Sequence, residues 1–280
     1  MTIYKKNNTD FLRKKALEIR QGIFTTALKA NKGHIPPAFS CVELLVCIYY
    51  SGFMRFSSKN PNLSVRDRFI LSKGHACLTL YNILADLNFF SKKELSNFAQ
   101  GGSILAGHPE KAIPGIETCT GSLGHGLGVA CGIAKASQLS NKKFSTIVVL
   151  GDGECHEGSI WEAAMFAGHH KLKNLMVIVD RNQLGATDFT ENYVSLDPLD
   201  HKFRSFGWEV KNIDGHCYEE IIGCLDYFFK RKNQAKPLCI IANTIKGKGL
   251  SFMENSKDWH HQMPNNEQII IAKKELYLDD

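Results

Sequence analysis

Two short segments of the chain carry oxygen ligands of the kind a hard divalent cation uses. They are Gly151-Asp152-Gly153-Glu154 and Asp180-Arg181-Asn182-Gln183-Leu184-Gly185, which set Asp152 and Asn182 thirty residues apart. One carboxylate, one amide and a main-chain carbonyl could hold an ion such as Mg²⁺, which commonly shares its coordination with phosphate. The glycines beside Asp152 allow close backbone approach, and a helix starting just after offers its N-terminus to an anion. Gly-Asp-Gly alone marks many tight turns, whereas two such loops, each after a strand, are far more specific. A second set is His34, His75, His108 and His260, four of eleven histidines, each in glycine-containing or loop sequence. Singly, such a histidine is most often structural. Converging on one cleft, the four would give donors to phosphate oxygens and proton acceptors near neutral pH.

For these residues to meet, the strands before the two loops must lie side by side. The runs 145–150 and 175–179 are apolar enough for buried strands, as are 68–72, 208–213 and 238–242. Helical spacing predicts a helix over 9–30, capped by Thr9 or Asp10, and others near 76–88, 124–139, 158–171, 198–206 and 217–231. Ser40 with Glu43 predicts a capping box at a further helix, and Ser91 opens a small one. Gly33-His34-Ile35-Pro36-Pro37 predicts an extended turn. Residues 100–120 form a long loop rich in Gly, Pro and His, of a length usual for functional or disordered loops. Strands alternating with helices predict an α/β fold, a doubly wound mostly parallel sheet with helices on both faces and ligands at the carboxyl ends of the strands. No repeat or linker breaks the pattern, so one domain is expected over 1–280.

Composition narrows the class. With 280 residues, 44% hydrophobic and 22% charged, the chain is globular rather than disordered or fibrous. Its net charge of +6 is spread out, and basic and aromatic residues do not interleave, so no nucleic-acid partner is expected. Met1–Asn7 lacks the apolar core of a signal peptide, and the apolar run 41–54 is too short to span a bilayer, so no membrane partner is expected. Nine cysteines, an odd number without a CxxC pair, fit a reduced cytoplasmic protein.

The run GDGECHEGSIWEAAMFAGHHKLKNLMVIVDRNQLG resembles the thiamine-diphosphate motif, and its details are similar to transketolases. The resemblance extends through KGHI at 32–35, DRFILSKGHA at 67–76, GHPE at 107–110, PGIETCTGSLGHG at 114–126, IDGH at 213–216 and NTIKGKG at 243–249, then Trp259-His260. It implies the thiamine-diphosphate-binding (PP) fold, with thiamine diphosphate and Mg²⁺ (or Ca²⁺) as cofactors. By it, Asp152, Asn182 and the carbonyl of Leu184 would hold the metal. Gly121, Ser122, Leu123, Gly153, Glu154, Asn182, His75 and His260 would contact the cofactor. His34, His108 and His260 would act on the substrate. Glu157 has two readings: a first-turn glutamate favoured by the helix dipole, or, by the resemblance, a member of a carboxylate relay across a subunit interface. His216 is a family position without a role, and His156, His169, His170, His201 and His261 read as surface or packing residues.

In the family, the glutamate that activates the cofactor's pyrimidine ring lies on a second α/β domain. The motifs here stop with the first. The resemblance therefore implies the N-terminal subunit of a split transketolase, joined in an α₂β₂ assembly to a C-terminal, pyrimidine-domain subunit. The assembly would move a glycolaldehyde unit from a ketose, with sugar phosphates as substrates. Three departures from the family pattern bear on the pocket. Pro36-Pro37 replaces glycines beside His34, stiffening that loop; His125 replaces a glutamine and would either remain a hydrogen-bond donor or change the pocket; and Gly185-Ala186 replaces a larger Gln-Ile pair, which would widen or loosen the metal-side loop. Other readings are a specialised thiamine-diphosphate carboligase, a 2-oxo acid dehydrogenase or 1-deoxyxylulose-phosphate synthase-like subunit, and a homologue without chemistry. The dehydrogenase reading sits poorly with TGSLGHG and the TIKGKG…WH ending.

Overall fold

The computed structural model describes residues 8–231 and 235–278, so the segment Met1–Asn7 read above lies outside the described residues. Its five strands are β1 (Arg68–Leu71), β2 (Thr146–Gly151), β3 (Leu175–Arg181), β4 (Glu209–Asp214) and β5 (Leu238–Asn243). They form one parallel sheet in the order β1-β2-β3-β5-β4. Successive side chains on a strand point to opposite faces, so continuous apolar strands build two cores at once. On β2, Ile147 and Val149 join one core while Val148 and Leu150 join the other. On β3, Met176 and Ile178 part in the same way from Val177 and Val179.

Helices α1 (Thr9–Ala30), α2 (Ile35–Ser40), α3 (Val42–Tyr50) and α4 (Cys77–Asp86) fill the first core together with α9 (Tyr218–Lys230) and α10 (Asn266–Glu275). Helices α5 (Gly126–Leu139), α6 (Gly158–His169) and α8 (Leu199–Ser205) fill the second. A short helix, α7 (Thr190–Tyr193), lies in the loop after β3. This is the doubly wound α/β arrangement expected from the sequence. No helix of the described residues is long and apolar enough to cross a membrane. Seven of the nine free cysteines are buried.

Four local expectations change. The cap of α1 is Asn8, whose side chain accepts the N–H of Phe11, in place of Thr9 or Asp10. The segment expected as an extended turn contains α2, with its prolines in the first turn, where a missing N–H costs nothing. Ser40 ends α2 instead of capping α3, because its hydroxyl is taken by the carboxylate of Asp180 at 2.6 Å. Glu43 is likewise committed elsewhere, to Arg20 and His216. Helix α10 carries a complete capping box at Asn265 and Gln268 that the sequence reading passed over.

Candidate functional site

The carboxyl ends of β1, β2, β3 and β5 open into a cleft of about 350 Å³. The sheet register puts Gly151 opposite Asp180, so the loops bearing Asp152 and Asn182 emerge together. Asp152 Oδ1 accepts the N–H of Gly153 at 2.8 Å, and Oδ2 accepts that of Gln183 at 2.5 Å. Its nearest cation, Arg181, stands 3.4 Å away and also serves Glu191 at 3.0 Å and Asp197 at 3.2 Å. Burial, followed by the neighbouring Asp180, pushes the Asp152 carboxyl up to about 6, which marks a buried anion with too little positive charge around it. Asn182 Oδ1 accepts the N–H of Leu184 at 3.1 Å, folding the loop so that both residues line the cleft beside Asp152.

This donor set fits a hard divalent ion: one carboxylate, one amide oxygen and the carbonyl of Leu184. The described residues hold no cluster of three His, Cys, Asp or Glu side chains arranged for a metal. A cation at Asp152 would therefore take its remaining oxygens from water or a phosphate, as Mg²⁺ commonly does.

The floor of the cleft is a buried polar network. Lys73, from the turn after β1, donates to Asp180 and to the carbonyl of Pro37 at 3.0 Å. Thr244, just past β5, donates to the other oxygen of Asp180. Glu154 is also buried, with its oxygens accepting from Ser72, from Gly124 N–H at 2.9 Å and from Gly151 N–H at 3.1 Å. Its carboxylate thus ties the 121–124 loop to the Gly-Asp-Gly turn. Gly121 has φ +149, and a Cβ there would lie 3.1 Å from the His108 ring, so two requirements select glycine.

His75, His108 and His260 also line the cleft, and His34, outside the lining, packs against all three. The His34 ring centroid lies 5.6 Å from His75, 6.2 Å from His108, 5.2 Å from His260 and 4.5 Å from His261. Burial and the neighbouring imidazoles push His34 down to about 3, and burial with Lys246 pushes His260 down to about 4. Burial lowers His75 and His108 as well, so these rings are neutral at pH 7. The ordered 100–120 loop supplies His108, whose carbonyl accepts from the Tyr81 hydroxyl at 2.8 Å.

Several residues passed over or misread in the sequence belong to the cleft. Lys246, brought down to about 8 by burial and then by Lys73, donates to the carbonyl of Gly185 at 2.6 Å and faces His260 Nδ1 at 3.1 Å. Because an ammonium donates, Nδ1 is the acceptor and Nε2–H is the donor that His260 has left. Only the fold shows that both Lys73 and Lys246 are 1% exposed. His156 also lines the cleft, with its ring nitrogens 3.1 Å from the carbonyl of Gly153 and 2.8 Å from that of Val194. His261 is exposed and outside the cleft lining, packed against the ring of His34, in keeping with its reading as a surface or packing residue. His216 bonds Glu43 at 3.0 Å, outside the cleft.

Other candidates stay at the margin. Gly121, Leu123 and Gly153 line the cleft, whereas Ser122 is exposed and outside the lining. Glu157 is exposed at the N-cap of α6. His125 is exposed at the N-cap of α5 and outside the cleft lining. At Gly185, the Tyr193 ring stands where a side chain would be.

Residues 13–280 match the family described as "Transketolase, thiamine diphosphate binding domain". An apulose-4-phosphate transketolase subunit of Phocaeicola vulgatus is 40% identical over 260 residues, spanning 92% of this chain and 90% of the relative. A 6-deoxy-6-sulfo-D-fructose transketolase subunit of Clostridium sp. is 38% identical over 249 residues, spanning 89% and 90%. The crystal structure of transketolase from Campylobacter jejuni superimposes with a TM-score of 0.89 at 32% identity. It covers 98% of this chain, which spans only 44% of that one. The chain belongs to the transketolase family, matching its thiamine-diphosphate-binding domain.

Proposed function

We propose that this chain is the diphosphate-binding subunit of a split transketolase, active only with a second chain that carries the pyrimidine domain. The observation that carries this reading is the meeting of Asp152, Asn182 and Leu184 with a wall of neutral imidazoles at one end of the sheet. It is supported by relatives named as subunits, of whose length this chain spans nine-tenths. Asp152, Asn182 and the Leu184 carbonyl hold Mg²⁺ or Ca²⁺. His75, His260, Gly121, Leu123, Gly153, Glu154 and Asn182 form the cofactor's surroundings, with Glu154 acting through the turns it ties together and Ser122 beside them, outside the lining. Bound thiamine diphosphate supplies a carbon nucleophile that no side chain offers.

The chain's own residues bind, orient and move protons. His260 Nε2–H donates to phosphate or substrate oxygen, its tautomer fixed by Lys246. His34 and His108, kept neutral by burial, offer ring nitrogens that exchange hydrogen bonds with substrate hydroxyls and orient them. The reaction moves a two-carbon ketol unit from a ketose, by default a phosphate, to an aldose in the cytoplasm. A specialised sugar is the second reading, favoured by the two relatives named for such donors.

The proposed assembly is α₂β₂. Helices α5 and α6 pack together and expose Val129, Leu139, Met165 and Phe166, apolar surface of a kind that suits burial between subunits. The test is ketol transfer from a ketose phosphate with thiamine diphosphate and Mg²⁺, using this chain alone and together with the pyrimidine-domain chain from a neighbouring reading frame. Transfer is expected only from the pair. Activity from this chain alone, or none from the pair, overturns the reading.

A further inference from the structure

Gly185 follows the expected metal ligand Leu184. Its backbone does not require glycine, since its φ lies outside the left-handed region. What excludes a side chain is Tyr193. A Cβ on Gly185 would lie 2.3 Å from Tyr193 Cε2, 2.9 Å from its hydroxyl oxygen and 3.0 Å from Cζ. On its other side, the Gly185 Cα lies 3.7 Å from where a Cβ on Gly153 would stand, so the residue is held between the Gly-Asp-Gly turn and the ring.

The ring is itself fixed. The Tyr193 oxygen accepts the N–H groups of Thr187 at 2.9 Å and Asp188 at 2.7 Å, and lies 2.8 Å from Thr187 Oγ1, which can take the phenol proton. Its ring and that of His156 meet at right angles, with centroids 5.9 Å apart, and both residues line the cleft. Arg181 clamps the same loop through Thr190, Glu191 and Asp197. Yet Tyr193 is 43% exposed, so little of the chain's own stability depends on burying it.

We propose that Tyr193 is a specificity-determining wall of the cofactor cleft: its ring stands in the volume that a long side chain at position 185 would fill. Glycine at 185 and tyrosine at 193 form one interlocked pair that sets the width of the cleft beside the metal loop. The hydroxyl holds the ring in place, and the ring forms the surface a ligand meets. This inference rests on the reading of the cleft as the thiamine-diphosphate site.

The test is calorimetric titration of thiamine diphosphate with Mg²⁺ into the assembled complex, with melting temperature followed in parallel. Tyr193→Val opens the wall, and Gly185→Gln drives the ring out. Each is expected to weaken binding about tenfold, which corresponds to about 1.4 kcal/mol. The double variant Gly185→Gln/Tyr193→Val refills the space and is expected to bind within about threefold of the parent, the non-additivity of residues in contact. Tyr193→Phe keeps the ring and is expected to stay within about threefold. Unchanged binding in Tyr193→Val, or single effects that simply multiply in the double variant, overturns the proposal. A loss in Tyr193→Phe as large as in Tyr193→Val moves the role to the hydroxyl and also overturns it. A parent complex that takes up no thiamine diphosphate removes the cofactor reading, and this inference with it.

Discussion

Two clusters of buried carboxylates lie under the loops at the carboxyl ends of the strands, and they are compensated in opposite ways. Glu43 receives two bonds from Arg20, at 2.7 and 2.8 Å, and a third from His216 at 3.0 Å. Burial alone would raise its pKa, but Arg20 and His216 more than offset that and hold it at about 2. Asp152, by contrast, has only a distant share of Arg181 and is driven up to about 6. A carboxylate matched by the chain's own cations belongs to the scaffold. One left short of positive charge, facing an open cleft, is prepared for a cation from outside.

The Glu43 cluster also explains how the scaffold serves the cleft. His216 Nε2 accepts the N–H of Ile245 at 2.9 Å, and Arg20 donates to the carbonyl of Lys248 at 2.9 Å. The loop carrying Lys246 is thus gripped on both sides by α1, α3 and the turn after β4. Arg20→Met removes the main partner and leaves a buried charge uncompensated. It is expected to cost about 3–5 kcal/mol, the range for breaking a buried pair from one side. Denaturant unfolding measures it. A loss below about 1 kcal/mol would erase the distinction between the two clusters.

Acid is a gentler way to attack the same pair. Glu43 titrates near 2 in the folded chain and near 4.5 when unfolded, so its contribution is complete above pH 4.5 and is lost as pH falls toward 2. At 1.36 kcal/mol per unit, the stability difference between the parent and Glu43→Gln is expected to narrow by about 3 kcal/mol over that window. Unfolding midpoints at pH 5, 4 and 3 would follow it. A difference that stays constant would mean that Glu43 is not held ionised by Arg20 and His216.

The contrast between the clusters also marks what could be read from sequence. Asp152 and Asn182 were legible because each follows an apolar strand, and parallel neighbouring strands must deliver their ends to the same edge. Buried strands and amphipathic helices announce themselves through period, so β1–β5 and most helices lie within a residue or two of expectation. Ser40 and Glu43 misled because a capping box is a local pattern. The structure instead gives their side chains to Asp180, 140 positions away, and to Arg20 and His216. Lys73 and Lys246 were invisible for the same reason, since a lysine beside glycines looks solvated until a carboxylate or a carbonyl from a distant loop closes over it. Long-range compensation of charge leaves no periodic trace.

The smallest expected change in stability is the most discriminating. Asp152→Asn keeps the oxygen that accepts the Gly153 N–H, loses an acceptor for Gln183, and removes a charge that burial and Asp180 both disfavour. These contributions oppose one another. The metal-free chain is therefore expected to change by about 1 kcal/mol or less, far below the cost at Arg20. Binding should respond differently, because the amide halves the oxygen donors at this position and removes the negative charge that attracts a divalent ion. In the assembled complex, Mg²⁺-dependent uptake of thiamine diphosphate is expected to fall at least about a hundredfold, the upper range for a damaged metal site. Calorimetric titration with and without Mg²⁺ would separate the two effects. A destabilisation as large as that of Arg20→Met, with Mg²⁺-dependent uptake intact, would make Asp152 a scaffold carboxylate like Glu43. The cation site would then have to be sought elsewhere along the cleft.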